Sequence, residues 1–228
     1  WRPLTDERPK CLLTVGQRTL LQRTVDGMLA AGIDELVVVT GYRGQMIRDF
    51  LTQHYPQLQI HFLDNVDYAN NNNIFSLWMT RPFTEGRDFL LRDSDILFDP
   101  QIIPTVLKEE GSALALNRHE LGEEEMKIVV DEHNNIVEIS KTCSIEKAIG
   151  ESVGIEKMTA DYSAALFKEL EQMIEREGLI DIFYERAFER LIPQGHTFRV
   201  VDTTNLFSIE LDTVEDFENA KQLIPAAL

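Results

Sequence analysis

Residues 19–63, TLLQRTVDGMLAAGIDELVVVTGYRGQMIRDFLTQHYPQLQIHFL, decide the fold class. At their centre, residues 36–40 (LVVVT) form an unbroken β-branched run, the pattern of a strand buried on both faces of a parallel sheet. Before it, Leu20, Leu21, Val25, Met28 and Leu29 recur at helical spacing over residues 19–31, and Gly32 is placed to end that helix. After it, Gly41 and Tyr42 turn the chain into a second helical stretch, 45–54, closed by Pro56. Residues 58–63 are a further strand. Strand, helix and strand in this rhythm predict an α/β layered fold, Rossmann-like, with a mainly parallel sheet flanked by helices.

The rhythm continues outward. The asparagines 70–73 precede an apolar stretch, 74–80, as N-caps precede helices. Residues 89–98 carry the next strand, and Pro100 stands where a helix begins. From Ser112 the pattern changes to shorter strands, at 113–116, 127–131 and 136–140, the last two flanking the turn His133-Asn134-Asn135. A strand at 150–158, amphipathic helices at 162–176 and 182–191, a strand at 198–201 and a helix at 214–223 complete the chain. The expectation is one domain over 1–228, with a small antiparallel insertion at about 121–149.

Composition excludes several classes. Of 228 residues, 43% are hydrophobic and 27% charged, which supports a sizeable core and excludes a disordered chain. No apolar run approaches the roughly 20 residues of a membrane span, so no membrane is expected as partner. The net charge of −17 argues against nucleic acid, whose backbone attracts basic stripes, but a small anion needs only a few local cations. Cys11 and Cys143 cannot build a disulfide framework or a zinc site, so a reducing compartment, the cytoplasm, is the expected location. No GxSxG, HExxH, Walker-A or GxGxxG motif is present, which removes the esterase, zincin, P-loop and nicotinamide readings.

The residues suited to chemistry are mostly acidic. Asp93 and Asp95, in FLLRDSDILFDP, stand two apart near the carboxyl end of a strand, on one face of it, where open α/β sheets bind ligands. Such carboxylates suit Mg²⁺; the plain alternative is a helix cap. Glu210 and Asp212 form a second pair sharing a strand face, although Asp212 or Thr213 serves equally as an N-cap, with Asp216 at capping-box distance. Lys10 and Lys141 can each reach a phosphate or simply face water. Glu151 lies between Gly150 and Gly154, where a ligand can approach the backbone. Asp181, Tyr184 and Glu185 are expected on one helical turn, as an acidic-aromatic patch suited to a cation; the plain alternative is that Phe183 and Phe188 pack the core and the charges are solvated. His54, His61, His119, His133 and His196 have no metal-ligand spacing and receive no role.

The segments RPLTDERPKCLLTVGQRTLLQRTVDGMLAAGIDELVVVTGY, NNIFSLW, FLLRDSDILFDP, MKIVVDEHNNIVEISK, GESVGIEKM, DIFYERAFERLI and IELDTVEDFENA span nearly the whole chain. In that order they resemble the sugar-phosphate nucleotidyltransferase superfamily, above all its phosphocholine and 2-aminoethylphosphonate cytidylyltransferase branch. The family's glycine-rich GxGxR loop would end just before Arg2. Residues ahead of Trp1, carrying that loop and a first strand, are therefore expected.

The resemblance implies transfer of CMP from CTP to a small phosphate or phosphonate acceptor with release of pyrophosphate, Mg²⁺ as cofactor, and CTP (or another NTP) and the acceptor as partners. A homodimer is compatible with it. It implies that Lys10 steadies the triphosphate and Lys141 faces the acceptor phosphate, as the catalytic cations. Asp95 and Asp212 hold the metal, Asn73 and Ser76 lie near the nucleobase, and Lys127, Glu151, Asp181 and Tyr184 bind the acceptor. The alternatives are a sugar-1-phosphate or inositol-phosphate nucleotidyltransferase, a non-catalytic nucleotide-binding module lacking the loop, and a Mg²⁺-dependent phosphohydrolase using Asp93 and Asp95.

Overall fold

A computed structural model describes residues 1–228. In chain order the elements are β1 (Thr14–Val15), β2 (Arg18–Thr19), α1 (Leu20–Ala30), β3 (Glu35–Thr40), α2 (Gly44–His54), β4 (Gln59–Asp64), α3 (Asn73–Met79), α4 (Arg81–Thr84), β5 (Phe89–Arg92) and β6 (Ile96–Phe98). They continue with α5 (Ile102–Leu107), β7 (Ala113–Asn117), β8 (Lys127–Val130), β9 (Ile136–Ser140), β10 (Gly150–Met158), α6 (Ala160–Glu171), α7 (Glu185–Leu191), β11 (Arg199–Asp202), β12 (Ser208–Glu210) and α8 (Val214–Leu223). The α/β class follows directly. No helix is long and apolar enough to cross a membrane.

Two compact units share these elements. The first comprises Trp1–Val66, Asp93–Pro104 and Asn205–Leu228. Helix α1 starts where the Thr19 hydroxyl accepts the Gln22 N–H, and the chain leaves it through Gly32 at φ +85°. Gly27 on this helix faces Pro100, and a Cβ there would already be in tight contact, 3.4 Å from the proline Cβ. Strands β3 and β4 pair in parallel from Glu35↔Gln59 to Thr40↔Asp64. Only Leu36 and Thr40 of β3 are buried, against the expectation of a strand covered on both faces, because its second edge carries no strand. Strands β6 and β12 pair antiparallel over a core of Leu13, Val15, Leu20, Leu97, Leu211 and Phe217. Thr213 and Asp216 form the expected capping box of α8.

The second unit, Asp67–Arg92 with Thr105–Thr204, holds a six-stranded sheet ordered β11-β7-β10-β8-β9, with β5 also on β10. Strand β10 is its spine: β7 lines one edge, while β8 pairs with its start and β5 with its end. All those pairings are antiparallel. Parallel pairing is confined to β3–β4 and β7–β11, so the sheet is mixed where a mainly parallel one was expected. The reason lies in β10, which runs against each of its three neighbours and bulges between Ser152 and Glu156 around Gly154 at φ +80°. Helices α3, α6 and α7 bury Leu77, Leu166, Phe167, Leu170, Phe188 and Leu191 against Leu114, Leu116 and Ile128. At roughly 25 cal/mol per Å² of apolar surface, that burial is the main favourable term.

The apolar run at 89–98 becomes two strands in different sheets. Strand β5 pairs with β10 and β6 with β12, and the chain breaks at Asp93–Ser94–Asp95. Asp93 and Asp95 therefore stand in a turn and do not share a strand face. Three adjacent polar residues offer no apolar side chain to keep a strand going through the break.

Candidate active site

The break at 93–95 has a chemical consequence. Glu210, the last residue of β12, pairs with Ile96 at the start of β6, and the Leu211 N–H donates to the Asp95 carbonyl at 2.9 Å. That register brings together side chains far apart in sequence. One carboxylate oxygen each from Asp95, Glu210 and Asp212 lies within 4.8 Å of the others. Asp212 stands beyond the strand end, fixed through its own N–H, which donates to Asp216 Oδ2 at 3.1 Å, rather than on a face shared with Glu210. Lys10 enters from the short 3₁₀ turn Lys10–Leu12, and its Nζ lies 3.3 Å from Asp95 Oδ2 and 4.5 Å from the centre of the Trp1 ring. Three carboxylates so close repel one another unless a cation lies among them, and oxygen-only ligation matches a hard divalent ion. The residues present fit such an ion.

The second unit gathers another charged set along one rim of its sheet. The register Ser140↔Lys127 on β9–β8, Glu151↔Lys127 on β10–β8 and Glu151↔Asn117 on β10–β7 aligns these strand ends. Gly150 permits the close approach, because a Cβ there would collide with the Asn117 carbonyl. Lys141 follows β9 directly. Its Nζ reaches Glu124 Oε2 at 3.3 Å and lies 5.1 Å from the Phe183 ring centre. Glu151 Oε1 meets His119 Nε2 at 2.5 Å, two residues beyond β7. Burial pushes the Glu151 carboxyl upward, more than the hydrogen bond and charge of His119 pull it down. His119 is also raised: burial opposes its charge, but the Glu151 hydrogen bond and charge, the Glu120 carbonyl and the Glu125 charge together outweigh it.

Lys127 differs from the acceptor-facing cation that the sequence led one to expect. It is 1% exposed, and its Nζ donates to the carbonyls of Lys141 at 2.7 Å and of Glu123 and Glu125 at 3.3 Å each. An ammonium has three donors, and here they hold the loop before β8 to the end of β9. The patch at 181–185 is also corrected. Helix α7 begins only at Glu185, Asp181 stands exposed in a bend before it, and Tyr184 is buried, its ring 5.3 Å from Phe188. Phe183, expected in the core, is 44% exposed instead. The helix starts late, so the residues that an earlier start would have put on one turn face different ways.

Asn73 opens α3, capped by the Asn72 side chain, and its Oδ1 accepts the Tyr184 N–H at 2.8 Å. Ser76 lies half-buried on the same helix. The sequence reading missed His119 altogether. No spacing marks it; only the β7–β10 pairing carries it to Glu151.

One unit thus offers a carboxylate cluster beside a lysine, and the other a rim of lysine, histidine and carboxylate. This chain belongs to the nucleotidyl transferase family, whose sequence profile, described as "Nucleotidyl transferase", matches residues 1–137. It is 30% identical over 115 residues, 50% of this chain and 18% of the relative, to the CMP-5'-(3-aminopropyl)phosphonate synthase of Streptomyces rubellomurinus. It is 23% identical over 134 residues, 57% of this chain and 47% of the relative, to the CTP:phosphoglutamine cytidylyltransferase of Campylobacter jejuni. The chain thus spans less than half the length of these curated relatives. In structure it is similar to the CTP:phosphocholine cytidylyltransferase of Streptococcus pneumoniae, with a TM-score of 0.78 at 18% identity, covering 98% of this chain and 93% of that one.

Proposed function

We propose that this protein transfers CMP from CTP to a phosphate or phosphonate oxygen of a small acceptor, releasing pyrophosphate. The observation that carries the reading is the convergence of Asp95, Glu210 and Asp212 within 4.8 Å, with Lys10 on Asp95. The names of the relatives support the choice of CTP and of a phosphorylated or phosphonate acceptor. In the reaction, an acceptor oxygen forms a bond to the α-phosphorus in line with the bond to the β-bridging oxygen. That bond breaks, and its electron pair leaves with pyrophosphate. Little covalent help is needed, so positioning and charge neutralisation supply the rate.

Asp95 and Asp212, with Glu210 beside them, are the residues that would hold Mg²⁺, which when bound neutralises charge on phosphate oxygens. Lys10 offsets charge on the triphosphate, and Lys141 faces the acceptor's phosphate or phosphonate. Asn73 and Ser76, at the start of α3, remain the residues proposed for the nucleobase. Glu151 and the exposed Asp181 are proposed for the acceptor's other end. Lys127 and Tyr184, both buried and used internally, are not part of this proposal.

The test is a pyrophosphate-release panel of four nucleoside triphosphates against phosphocholine, 2-aminoethylphosphonate and inositol phosphate, with and without Mg²⁺. Release only with CTP, one of these acceptors and the metal supports the proposal. Inorganic phosphate released from a monoester without nucleotide would identify a phosphohydrolase instead.

A further inference from the structure

His119 lies outside every sequence motif, yet its two ring nitrogens are both committed. Nδ1 lies 2.7 Å from the Glu120 carbonyl, an acceptor only, so this nitrogen must carry a proton. Nε2 lies 2.5 Å from Glu151 Oε1, and two lone pairs cannot approach that closely without a proton between them. One proton therefore lies between Nε2 and Oε1, and with His119 raised by the Glu151 hydrogen bond and charge the ring is the group that holds it here, as an imidazolium on a carboxylate. The pair is set at the sheet rim, with Glu151 side chain 21% exposed and opposite Lys127 in the strand register.

We propose that His119 is a positioning residue for the acceptor: its protonated Nε2 holds Oε1 of Glu151, leaving Oε2 to accept a hydrogen bond from the acceptor's ammonium or hydroxyl end. The inference rests on the reading of Glu151 as an acceptor-binding carboxylate. As pH rises through the imidazolium's pKa, Nε2 loses its proton and a lone pair faces the carboxylate. The contact becomes repulsive, and Glu151 leaves its position. The other charged groups facing the pair are Glu125, Lys127 from β8, and Arg118, which is ion-paired to Asp202 at 2.8 Å. Both carboxyls are held below their usual values, Glu125 through backbone N–H groups against the opposing effect of its burial, Asp202 first through the Thr204 hydroxyl. Both carboxyls stay charged between about pH 6 and 9, so the charge change there belongs to the His119–Glu151 pair itself.

The experiment combines two readouts. With saturating CTP, the acceptor KM is measured from pH 6 to 9 for 2-aminoethylphosphonate, whose primary ammonium can donate to Oε2. Wild type should show a KM that rises about tenfold across the alkaline step, with kcat changing less than threefold, as the loss of a charge-assisted hydrogen bond predicts. His119→Gln keeps an N–H donor that does not titrate, so KM should stay low and flat. His119→Phe should hold KM high and flat. NMR titration of the His119 ring, without substrate, should place its pKa above the usual imidazole value and lower it in Glu151→Gln. A His119→Phe enzyme with wild-type KM throughout, a pH step surviving in His119→Gln, or a ring titration indifferent to Glu151→Gln would each overturn the proposal. Wild type inactive with every substrate pair would sink the functional reading and with it the acceptor role, while the ring titration would still decide whether the pair exists.

Discussion

The charged sets of the two units are built in opposite ways. In the first, carboxylates from β12 and from the break before β6 crowd together beside one lysine, an arrangement that a cation completes. In the second, charges come already matched: Lys141 with Glu124, His119 with Glu151, Arg118 with Asp202, and Lys127 with three carbonyls. The difference teaches where each set's energy goes. Crowded like charges store repulsion that a bound ion relieves, whereas matched pairs hold a shape that a ligand meets without rearrangement.

The sharpest way to break this contrast is to remove a carboxylate from the first set. Asp95→Ala or Asp212→Ala should lower the pyrophosphate-release rate about 100-fold or more, on the scale of losing one preorganised electrostatic contact. Unfolding free energy, from urea titration, should change by less than about 1 kcal/mol, since the repulsion relieved offsets the loss of the half-buried Lys10 contact. A rate within about tenfold of wild type would mean that the cluster does not serve the reaction. Lys10→Ala comes next, with an expected rate loss of about tenfold to 100-fold in the same assay.

Lys127 inverts the pattern. Lys127→Ala should destabilise the protein by about 3 kcal/mol, through three carbonyls losing a buried donor and the cavity left behind. Acceptor KM, measured well below the melting temperature, should change less than threefold. A large KM change with little loss of stability would return Lys127 to the acceptor site.

The smallest effect concerns a pair in the second unit away from that rim. Arg190 donates to both Glu177 oxygens, at 2.8 and 2.9 Å, and holds that carboxyl at about 2, with the Gln172 amide assisting. A carboxyl depressed in the folded state stabilises the protein above its unfolded value, roughly pH 4.5, and this is lost as pH falls toward 2. Thermal melts of wild type and Glu177→Gln should therefore differ slightly at pH 7, with a gap that narrows as pH falls below about 4.5 and closes near pH 2. A gap that does not narrow between about pH 5 and pH 2.5 would assign the effect to packing.

Much of the architecture was legible along the chain. The strand at β3, the helix before it with its stop at Gly32, the asparagine start of α3, the hairpin turn at Asn134 (φ +63°) and the capping box of α8 each follow from local rules that need only a few neighbours. The acidic residues at 95, 210 and 212 were visible as candidates, because carboxylates at strand ends are conspicuous. The failures were of another kind. The run at 89–98 gave no sign of splitting, since apolar flanks look alike whether one strand or two follow. Phe183 and Tyr184 exchanged places because aromatic type does not say where a helix starts.

By itself the sequence determined the α/β class, most element positions and the residue types able to carry phosphate chemistry, because propensity, capping and hydrophobic period act over a few residues. Only the tertiary structure decided which of those residues meet. Strand register joined Asp95 to Glu210 and Asp212, turned Lys127 inward and set His119 against Glu151. Register is fixed by pairing between distant strands and by the burial that pairing allows, and no local window contains both partners.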